Sequence, residues 1–261
     1  MSIKYLPPRL FCFALFAGAL LCGETARALT PFTPSDIGLL TPYAQFGNSE
    51  DESLVTIHGN VGISAGGTLH VFSPSQIYGD VFVDTNATLT DDQANFSNIH
   101  GTIHRNQNLA ATQNQVFTAS AKWDTFTPDQ SFSNLNSTQN FTNNVAGTAL
   151  VVDITNLSLN NANITFSGMG YLVLNVSGSF TLQGTAGILA NGGTSPSHIF
   201  INYTGTSTLT TKVGDTIDGY LLVTKASATL DGGFVGGIYS GKGKVTLMSG
   251  ATVSSPPVIS Q

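Results

Sequence analysis

Histidines and carboxylates are the side chains of this sequence best suited to chemistry, and two histidines recur at one place in a repeated segment. His58 and His100 each follow an isoleucine and precede a glycine, and Tyr78 holds the same place in a third segment. If these segments stack in register as strands, the three rings form one outward column. The two histidines then lie about 10 Å apart, twice the strand spacing. Zinc needs ligand bonds of about 2.0–2.1 Å, so we predict no metal site and a solvated, non-catalytic column.

A site that cleaves polysaccharides would need two carboxylates about 5–9.5 Å apart. Asp80 and Asp84 point to the same side of one predicted strand, but their four-residue separation is about 13 Å. Arg105 is the only arginine after residue 27, and the sequence has neither a phosphate-binding loop nor a Gly-x-Ser-x-Gly motif. We therefore predict a protein that is not an enzyme and has no cofactor. A polysaccharide lyase or hydrolase is the less favoured alternative.

The most regular polar feature is a set of threonines, each followed by leucine. The set consists of Thr68, Thr88, Thr181, Thr208, Thr229 and Thr246. If each leucine points into a core, each threonine points out, which predicts a column of hydroxyl and methyl groups. A flat, uncharged surface of this kind can order water or bind ice. Threonine also favours exposed strands by propensity alone, so both interpretations stay open.

These side chains lie on turns of one repeating unit. An apolar-x-Gly-x-apolar segment recurs around Gly59, Gly79, Gly101, Gly219 and Gly236, and neighbouring glycines of each set are 17 to 22 residues apart. This period is typical of one circuit of a β-solenoid. We predict a mainly all-β fold, a parallel β-solenoid or β-helix. Period-2 alternation predicts a set of inward residues, namely Ile57, Val61, Ile63, Ile77, Val81, Val83, Ile99 and Ile103.

One segment between the two sets of repeats has a different period. Leu109, Val116 and Trp123 recur at helical spacing, which predicts a helix over about 108–125 packed on the flank of the solenoid. Residues 128–144 are rich in Asn and Ser and are predicted to be a crossing back to the sheet. We expect a single solenoid domain over 53–258, preceded by a lead-in or N-terminal cap at 29–52.

The first 28 residues have the features of a secretory signal peptide. Lys4 and Arg9 precede the apolar run Leu10–Leu21, and Ala26–Ala28 fits a small-x-small cleavage site. The apolar run is shorter than the ~20 residues that span a bilayer. We expect a secreted protein, extracellular or at the cell surface, with no membrane insertion after signal cleavage.

Composition excludes several classes of partner. Removing the charged residues of the predicted signal from the 9 basic and 15 acidic residues leaves 6 and 14, a net charge of −8. Nucleic acids and anionic membranes need clustered Lys and Arg, so we predict neither as a partner. Both cysteines, Cys12 and Cys22, lie in the predicted signal, so the secreted chain is expected to have no disulfide.

Several segments of the second half carry a resemblance to known families. They are YLVLNVSGSF from residue 171, HIFINY from 198, GYLLVTKASATLDG from 219 and VTLMSGATV from 245. These segments resemble two groups of secreted bacterial proteins, the choice-of-anchor A surface proteins and the ice-binding-like β-solenoid family. The resemblance covers roughly residues 36–258. It implies an early set of rungs, a flanking helix and a later set of rungs.

Together these features predict a secreted, non-catalytic β-solenoid that is a structural or adhesive component of the cell surface or extracellular matrix. The alternative is an ice-binding, antifreeze-like protein that uses a flat threonine face. The expected partner is an extracellular surface or polymer: ice, glycan or matrix. The sequence leaves the oligomeric state open.

Overall fold

The computed structural model describes residues 49–51, 54–241 and 243–254, and side chains from residue 54 onward. The described residues form a parallel β-solenoid with one α-helix on its flank, which confirms the predicted fold class. The predicted signal peptide and most of the predicted lead-in lie outside the described residues. The last residues of that lead-in, Ser49–Asp51, form a strand.

Within the described residues, eight short strands precede the helix and form three rungs. They are β1 (Ser49–Asp51), β2 (Thr56–His58), β3 (Val61–Ile63), β4 (Thr68–Val71), β5 (Gln76–Ile77), β6 (Val81–Asp84), β7 (Thr88–Asp91) and β8 (Ile103–Gln107). In the third rung, a 3-10 helix at Ala94–Phe96 and an isolated bridge from Ile99 to Ile77 replace one strand. We call these rungs the N-terminal stack.

In the part of the chain that the structure describes, fourteen strands follow helix α1 (Ala110–Asp124) and form six more rungs, the C-terminal stack. They are β9 (Gln130–Leu135), β10 (Gln139–Asn143), β11 (Ala149–Asn160), β12 (Asn163–Gly168), β13 (Tyr171–Val176), β14 (Phe180–Gln183), β15 (Gly187–Ala190), β16 (Ile199–Tyr203), β17 (Leu209–Thr210), β18 (Thr216–Val223), β19 (Ala228–Leu230), β20 (Gly233–Ser240), β21 (Val245–Leu247) and β22 (Thr252–Ser254). A second 3-10 helix at Pro196–His198 precedes β16.

Each rung circles through three faces, which we name by what they carry. The threonine face contains β1, β4, β7, β14, β17, β19 and β21, with the second part of β9 and β11. The ring face contains β2, β5, β10, β12, β15 and β22, with the first part of β18 and β20. The helix face contains β3, β6, β8, β13 and β16 and the remaining parts of the long strands.

The rungs stack in an order that differs from their order along the chain. Strand β1 lies between β21 and β4, and β2 lies between β22 and β5. The first rung therefore stacks on the last, in the interior of the column. The β7–β8 rung forms one end of the column, the β9–β10 rung forms the other, and α1 connects the two ends along the side.

The inward residues predicted from the alternation of the first repeats are buried in a continuous apolar core. Ile103, in the end rung, is only partly buried. Burial of apolar side chains along the axis is the main stabilising term for such a stack.

The helix predicted over about 108–125 is observed at Ala110–Asp124, and it covers the apolar outer side of the helix face. Trp123 is fully buried, and its ring meets that of Phe200 edge-on at a centroid distance of 5.4 Å. Val116 and Ala119 pack in the same cluster. The core interpretation of Trp123 that the helical spacing favours is therefore correct.

A ladder of asparagines fixes the helix in place. Asn175 and Asn202 are in-register neighbours under α1, and Asn202 is completely buried. The Ser120 hydroxyl donates to Asn202 Oδ1 at 2.6 Å, and Asn202 Nδ2 donates to the Ser120 carbonyl at 3.1 Å. Asn202 Nδ2 also donates to Asn175 Oδ1, and Asn175 Nδ2 donates to the Trp123 carbonyl, at 3.1 and 3.0 Å. These bonds set the helix at one position along the stack.

Residues 128–144 correct one prediction. This segment is not a crossing without regular structure, because β9 and β10 form the end rung of the C-terminal stack there. Its inward side chains are sparse, with Leu135 and Phe141 buried and Phe132 partly buried against Phe141. Most of the outward side chains are Asn, Ser and Gln, and asparagine has low strand propensity, so the alternation is hidden by composition.

Replacing Asn202 with leucine tests the ladder. Leucine occupies the next position of the same column at Leu222, so it fits the rung, but it leaves polar groups of Ser120 and Asn175 without partners in a buried site. We expect Asn202→Leu to lower the free energy of unfolding by about 1–3 kcal/mol, measured by urea denaturation. Asn114→Leu, at an exposed position of α1, is the control and should cause no such loss. Equal stability of Asn202→Leu and the parent protein would contradict a structural role for the ladder.

Two tyrosines under the helix predict alkaline sensitivity. Burial raises the pKa of Tyr220 to about 12 and also raises that of Tyr239, so the folded protein keeps both phenols protonated where an unfolded chain ionises near pH 10. Stability should be complete below pH 10 and should fall as the pH rises toward 12. A Tyr220→Phe, Tyr239→Phe variant should lose less stability between pH 9 and pH 11 in urea denaturation. Tyr78→Phe, at a surface position, should behave like the parent, and an identical loss in the double variant would contradict this account.

Candidate binding surface on the threonine face

One column of hydroxyl groups runs along the C-terminal stack. Strand register aligns Ser158 with Thr181, Thr181 with Thr210, Thr210 with Thr229, and Thr229 with Thr246. The residues directly before and after these positions in the chain are buried, and most of them are leucines. Each hydroxyl therefore points away from the core, as the Thr-Leu pattern predicts.

The six predicted threonines do not form a single column, and this corrects the prediction. Thr181, Thr229 and Thr246 share the first column. Thr208 lies one residue before the paired Leu209 and Ala228, and therefore in a second column two residues to the side. Thr68 and Thr88 pair with each other and align with this second column, because Leu69 aligns with Val245 through Ser49.

Sequence reasoning missed Thr210, which occupies the place in the first column that had been assigned to Thr208. The segment Thr208-Leu209-Thr210 has a threonine on each side of one inward leucine, so both threonines point out and the pattern cannot select between them. The distance from the preceding corner glycine distinguishes the second column from the first. Gly59 and Gly79 precede their threonines by nine residues, whereas Gly219 and Gly236 precede theirs by ten.

Four successive rungs of the threonine face carry only hydroxyl and amide groups in both columns. We call this surface the hydroxyl patch; it consists of Asn156, Ser158, Ser179, Thr181, Thr208, Thr210, Ser227 and Thr229. Rungs lie about 4.8 Å apart, and the two columns lie about 6.6 Å apart along a strand. Its side chains are exposed or half-buried.

The hydroxyl patch has donors and acceptors to spare. Asn156 Oδ1 accepts hydrogen bonds from the backbone N–H and the hydroxyl of Ser179, at 3.1 and 3.0 Å, which orders one corner of the patch. Within the described residues, the hydroxyls of Thr181, Thr210 and Thr229 make no hydrogen bond to the protein. They therefore remain available to a ligand.

Charged positions end the patch where the two stacks meet. Lys244 follows Ser227 in the second column, and its side chain is exposed. In the first column, Glu50 aligns with Thr246 and His70 aligns with Glu50. His70 Nε2 bonds to Asp92 Oδ1 at 2.7 Å. Thr68 and Thr88 lie beyond this break, so the face is not a continuous uncharged surface.

The second predicted column, on the ring face, is observed as a ladder of stacked rings. His58 and Tyr78 stack at 4.8 Å between centroids with a 10° interplanar angle, and Tyr78 and His100 stack at 4.5 Å and 9°. Gln76 Oε1 is hydrogen-bonded to His100 Nε2. The rings point outward, and Tyr78 is 48% exposed. Each ring stacks on the next, which gives the column a structural explanation.

Most carboxylates serve as backbone acceptors that shape the turns. Asp215 is buried and accepts from the N–H groups of Ala186 and Lys212, at 3.0 and 2.7 Å. Asp84 accepts from the N–H groups of Thr85 and Leu109, at 2.7 and 2.8 Å. A carboxylate engaged in this way has a structural explanation that needs no catalysis.

Hydrogen bonding also explains the electrostatics of two surface carboxylates. The pKa of Asp80 is lowered, first by the Thr102 N–H at 2.8 Å and then by His104 at 3.2 Å. The pKa of Asp92 is lowered mainly by its bond to His70. Asp218, which is paired with Val235 on the ring face, has its pKa raised by burial, partly offset by the Ala190 N–H. The carboxyl groups of Asp80 and Asp92, whose pKa values are lowered, stay ionised at neutral pH. A general acid must instead be protonated before it can donate its proton.

A pocket of about 290 Å³ lies beside α1, lined by Phe117, Ser120, Ala121, Asp124, Thr204, Thr224 and Lys225, and it contains a single carboxylate. Among the side chains that the structure describes, no group of three or more His, Cys, Asp or Glu could hold a metal ion. No helix in the same residues is long and apolar enough to cross a membrane.

Comparison with protein families identifies one match. Residues 27–247 match the family model described as an ice-binding-like adhesive domain. Among curated proteins, none matches the sequence.

Several solved structures with a similar fold are ice-binding proteins. One, from an Antarctic biological consortium, is 15% identical with a TM-score of 0.62 over 87% of this chain and 92% of that one. Another, from an Antarctic bacterium of the Flavobacteriaceae, is 15% identical with a TM-score of 0.63 over 89% of this chain and 49% of that one. A glycosylated ice-binding protein from an Arctic yeast is 15% identical with a TM-score of 0.55 over 89% and 99%. At these identities the likeness shows the fold alone.

Proposed function

This protein belongs to the ice-binding-like adhesive domain family, and we propose that it is a secreted, non-catalytic adhesive solenoid that binds a neutral, hydroxyl-rich polymer. Its binding surface is the hydroxyl patch, and the observation that carries this proposal is the uncharged pair of columns over four rungs. The bacterial, surface-associated role that the resemblance to choice-of-anchor A proteins implies is part of the proposal.

The chemistry of the hydroxyl patch supports a neutral, hydrated partner. Threonine and serine hydroxyls each donate and accept hydrogen bonds, and asparagine amides do the same, so they complement the hydroxyls of a glycan. Threonine methyl groups supply apolar contact between them. The strands hold these groups rigidly, so little conformational entropy is lost when an extended surface binds.

The charges of the chain argue against an ionic partner. The sequence has 15 acidic and 9 basic residues, and the hydroxyl patch contains neither kind. An anionic polymer would meet a net negative protein, and a cationic polymer would find no carboxylate in the patch. Recognition by neutral hydrogen bonds is what these residues favour.

Two bulky substitutions in the first column test this proposal. Thr181→Tyr with Thr229→Tyr would raise rings above the patch and separate a flat ligand from the remaining hydroxyls. We expect the purified parent protein to be retained by at least one of crystalline cellulose, chitin and cross-linked dextran, and the double variant to bind that polymer at least about tenfold more weakly, a loss of about 1.4 kcal/mol. Depletion of protein from the supernatant measures both.

Thr252→Tyr is the matched control, because Thr252 is an exposed threonine on the ring face. It should bind like the parent protein. Equal retention of the double variant and the parent would contradict binding through the threonine face. Weaker binding by the control alone would move the site to the ring face.

Ice binding is the second candidate function, favoured by the regular spacing of the two columns and by the solved ice-binding proteins that share the fold. Ice offers a flat, neutral lattice that hydroxyl columns could match. The break at Lys244 limits the candidate ice surface to the rungs of the hydroxyl patch.

Removing that break gives the ice candidate its own test. Lys244→Thr extends the second column by one rung beside Thr246 and removes a strongly hydrated charge. If the patch binds ice, the parent protein should shape ice crystals and the variant should show a larger thermal hysteresis. Lys225→Thr, an exposed lysine outside both columns, is the control and should change nothing. Absence of shaping in both parent and Lys244→Thr would reject ice and leave the polymer proposal untouched.

A further inference from the structure

Among the described residues, the junction between the first and last rungs, which we call the seam, is the level of the column with the fewest paired residues. On the threonine face, β1 pairs with β21 over three residues, and on the ring face β2 pairs with β22 over three residues. On the helix face, β3, β6 and β8 form a separate three-stranded sheet. In the described residues β3 makes no backbone pairing with β20, whereas β18 and β20 pair over eight residues one rung away.

The two rungs that meet at the seam are not consecutive in the chain, so only non-covalent contacts hold them together there. Strands β21 and β22 are the last two described strands, and β1 and β2 are the first two. The only covalent link between the N-terminal stack and the C-terminal stack is the segment that leads from β8 into α1. Helix α1 itself belongs to the C-terminal stack, because Ser120 and Trp123 bond to its asparagine ladder and Gln113 Nε2 donates to the Gly241 carbonyl at 2.9 Å.

The linking segment is short, and the backbone just before it is strained. Only two residues, 108 and 109, separate β8 from α1. Asn106, the last residue but one of β8, adopts a left-handed conformation with φ of 57°, which asparagine tolerates better than other non-glycine residues but still at some cost in energy. Short hinges under strain favour domain swapping, because the strain is relieved when the hinge extends.

We propose that the N-terminal stack exchanges between two copies of this chain, so that its first rung stacks on the last rung of the partner copy. The exchanged contacts are those of the seam and the packing of Phe82 against the cluster under α1, and each copy of the dimer keeps every rung neighbour that the monomer has. The two arrangements therefore differ mainly in hinge strain and in the entropy of association. The partner of this interface is a second copy of the same chain.

The exchange goes beyond the proposed adhesive function and would strengthen adhesion by pairing two binding surfaces. A swapped dimer has two hydroxyl patches, each intact because the patch lies entirely on the C-terminal stack. Two patches on one particle bind a repeating polymer with higher avidity than one.

A disulfide across the seam tests the exchange directly. Thr56 and Thr252 are in-register neighbours on parallel strands of the ring face, and both are accessible. A spacing of about 4.8 Å suits a disulfide, for which the Cα atoms lie about 4.4–6.8 Å apart. The chain from residue 29 onward has no cysteine of its own, so a Thr56→Cys, Thr252→Cys variant offers one pair.

The experiment refolds each protein from denaturant over a range of concentrations and separates the products by size-exclusion chromatography with light scattering. We expect the parent and the reduced variant to give more dimer as concentration during refolding rises. When the variant is first oxidised as a monomer, the disulfide locks the seam within one copy. We expect this locked variant to stay monomeric after refolding. Dimers of the reduced variant, oxidised afterwards, should remain covalent dimers on a denaturing, non-reducing gel.

A parent protein that is monomeric at every refolding concentration would overturn the proposal. Equal dimer formation by the locked variant would also overturn it, because the contact would then lie outside the seam. A second variant covers the case in which the cysteine pair does not fold. Two glycines inserted between residues 108 and 109 should relax the hinge and reduce the dimer fraction, and an unchanged fraction would count against the exchange.

Discussion

The close approach of neighbouring rungs at one corner is the constraint on which the structure depends. At the turn from the ring face to the helix face, a Cβ atom on Gly79 would overlap the carbonyl oxygen of Gly59, and one on Gly101 would overlap that of Gly79. Gly236 stands in the same relation to Gly219. Only glycine lets the backbones pass this closely. The recurring apolar-x-Gly-x-apolar segment is therefore a steric requirement of the stack.

Tight corners hold the rungs in register, and register gives each face one character. Outward side chains at equivalent positions line up, so one face shows hydroxyl columns, another shows stacked rings, and the third shows an apolar band that needs a cover. Helix α1 is that cover, and the buried bonds of Asn202 fix where it lies. The seam is the level where this regularity is weakest, since among the residues that the structure describes only two of the three faces are paired there.

The sequence predicts the parts of this structure that local pattern determines. Strict alternation identifies Ile57 and Val81 as core, and helical spacing places Trp123 on the buried side of the helix, because each depends on a few neighbouring residues. The assignment of threonines to columns depends on corner length, so the register of Thr208 was wrong while the outward direction of its side chain was right. The order of the rungs in space was not predictable, because equivalent rungs carry the same local pattern and pairing across the seam is set by the whole stack.

The central claim is that the threonine face of the C-terminal stack is the surface that meets the ligand. Covalent footprinting with a photogenerated carbene, on protein bound to the polysaccharide that retains it, tests this claim most directly. The account predicts reduced labelling of peptides that contain β14, β17 and β19, with unchanged labelling of β2 and β5 on the ring face and of α1. Protection centred on β2, β5 or α1, with β17 and β19 labelled as in the free protein, would contradict it.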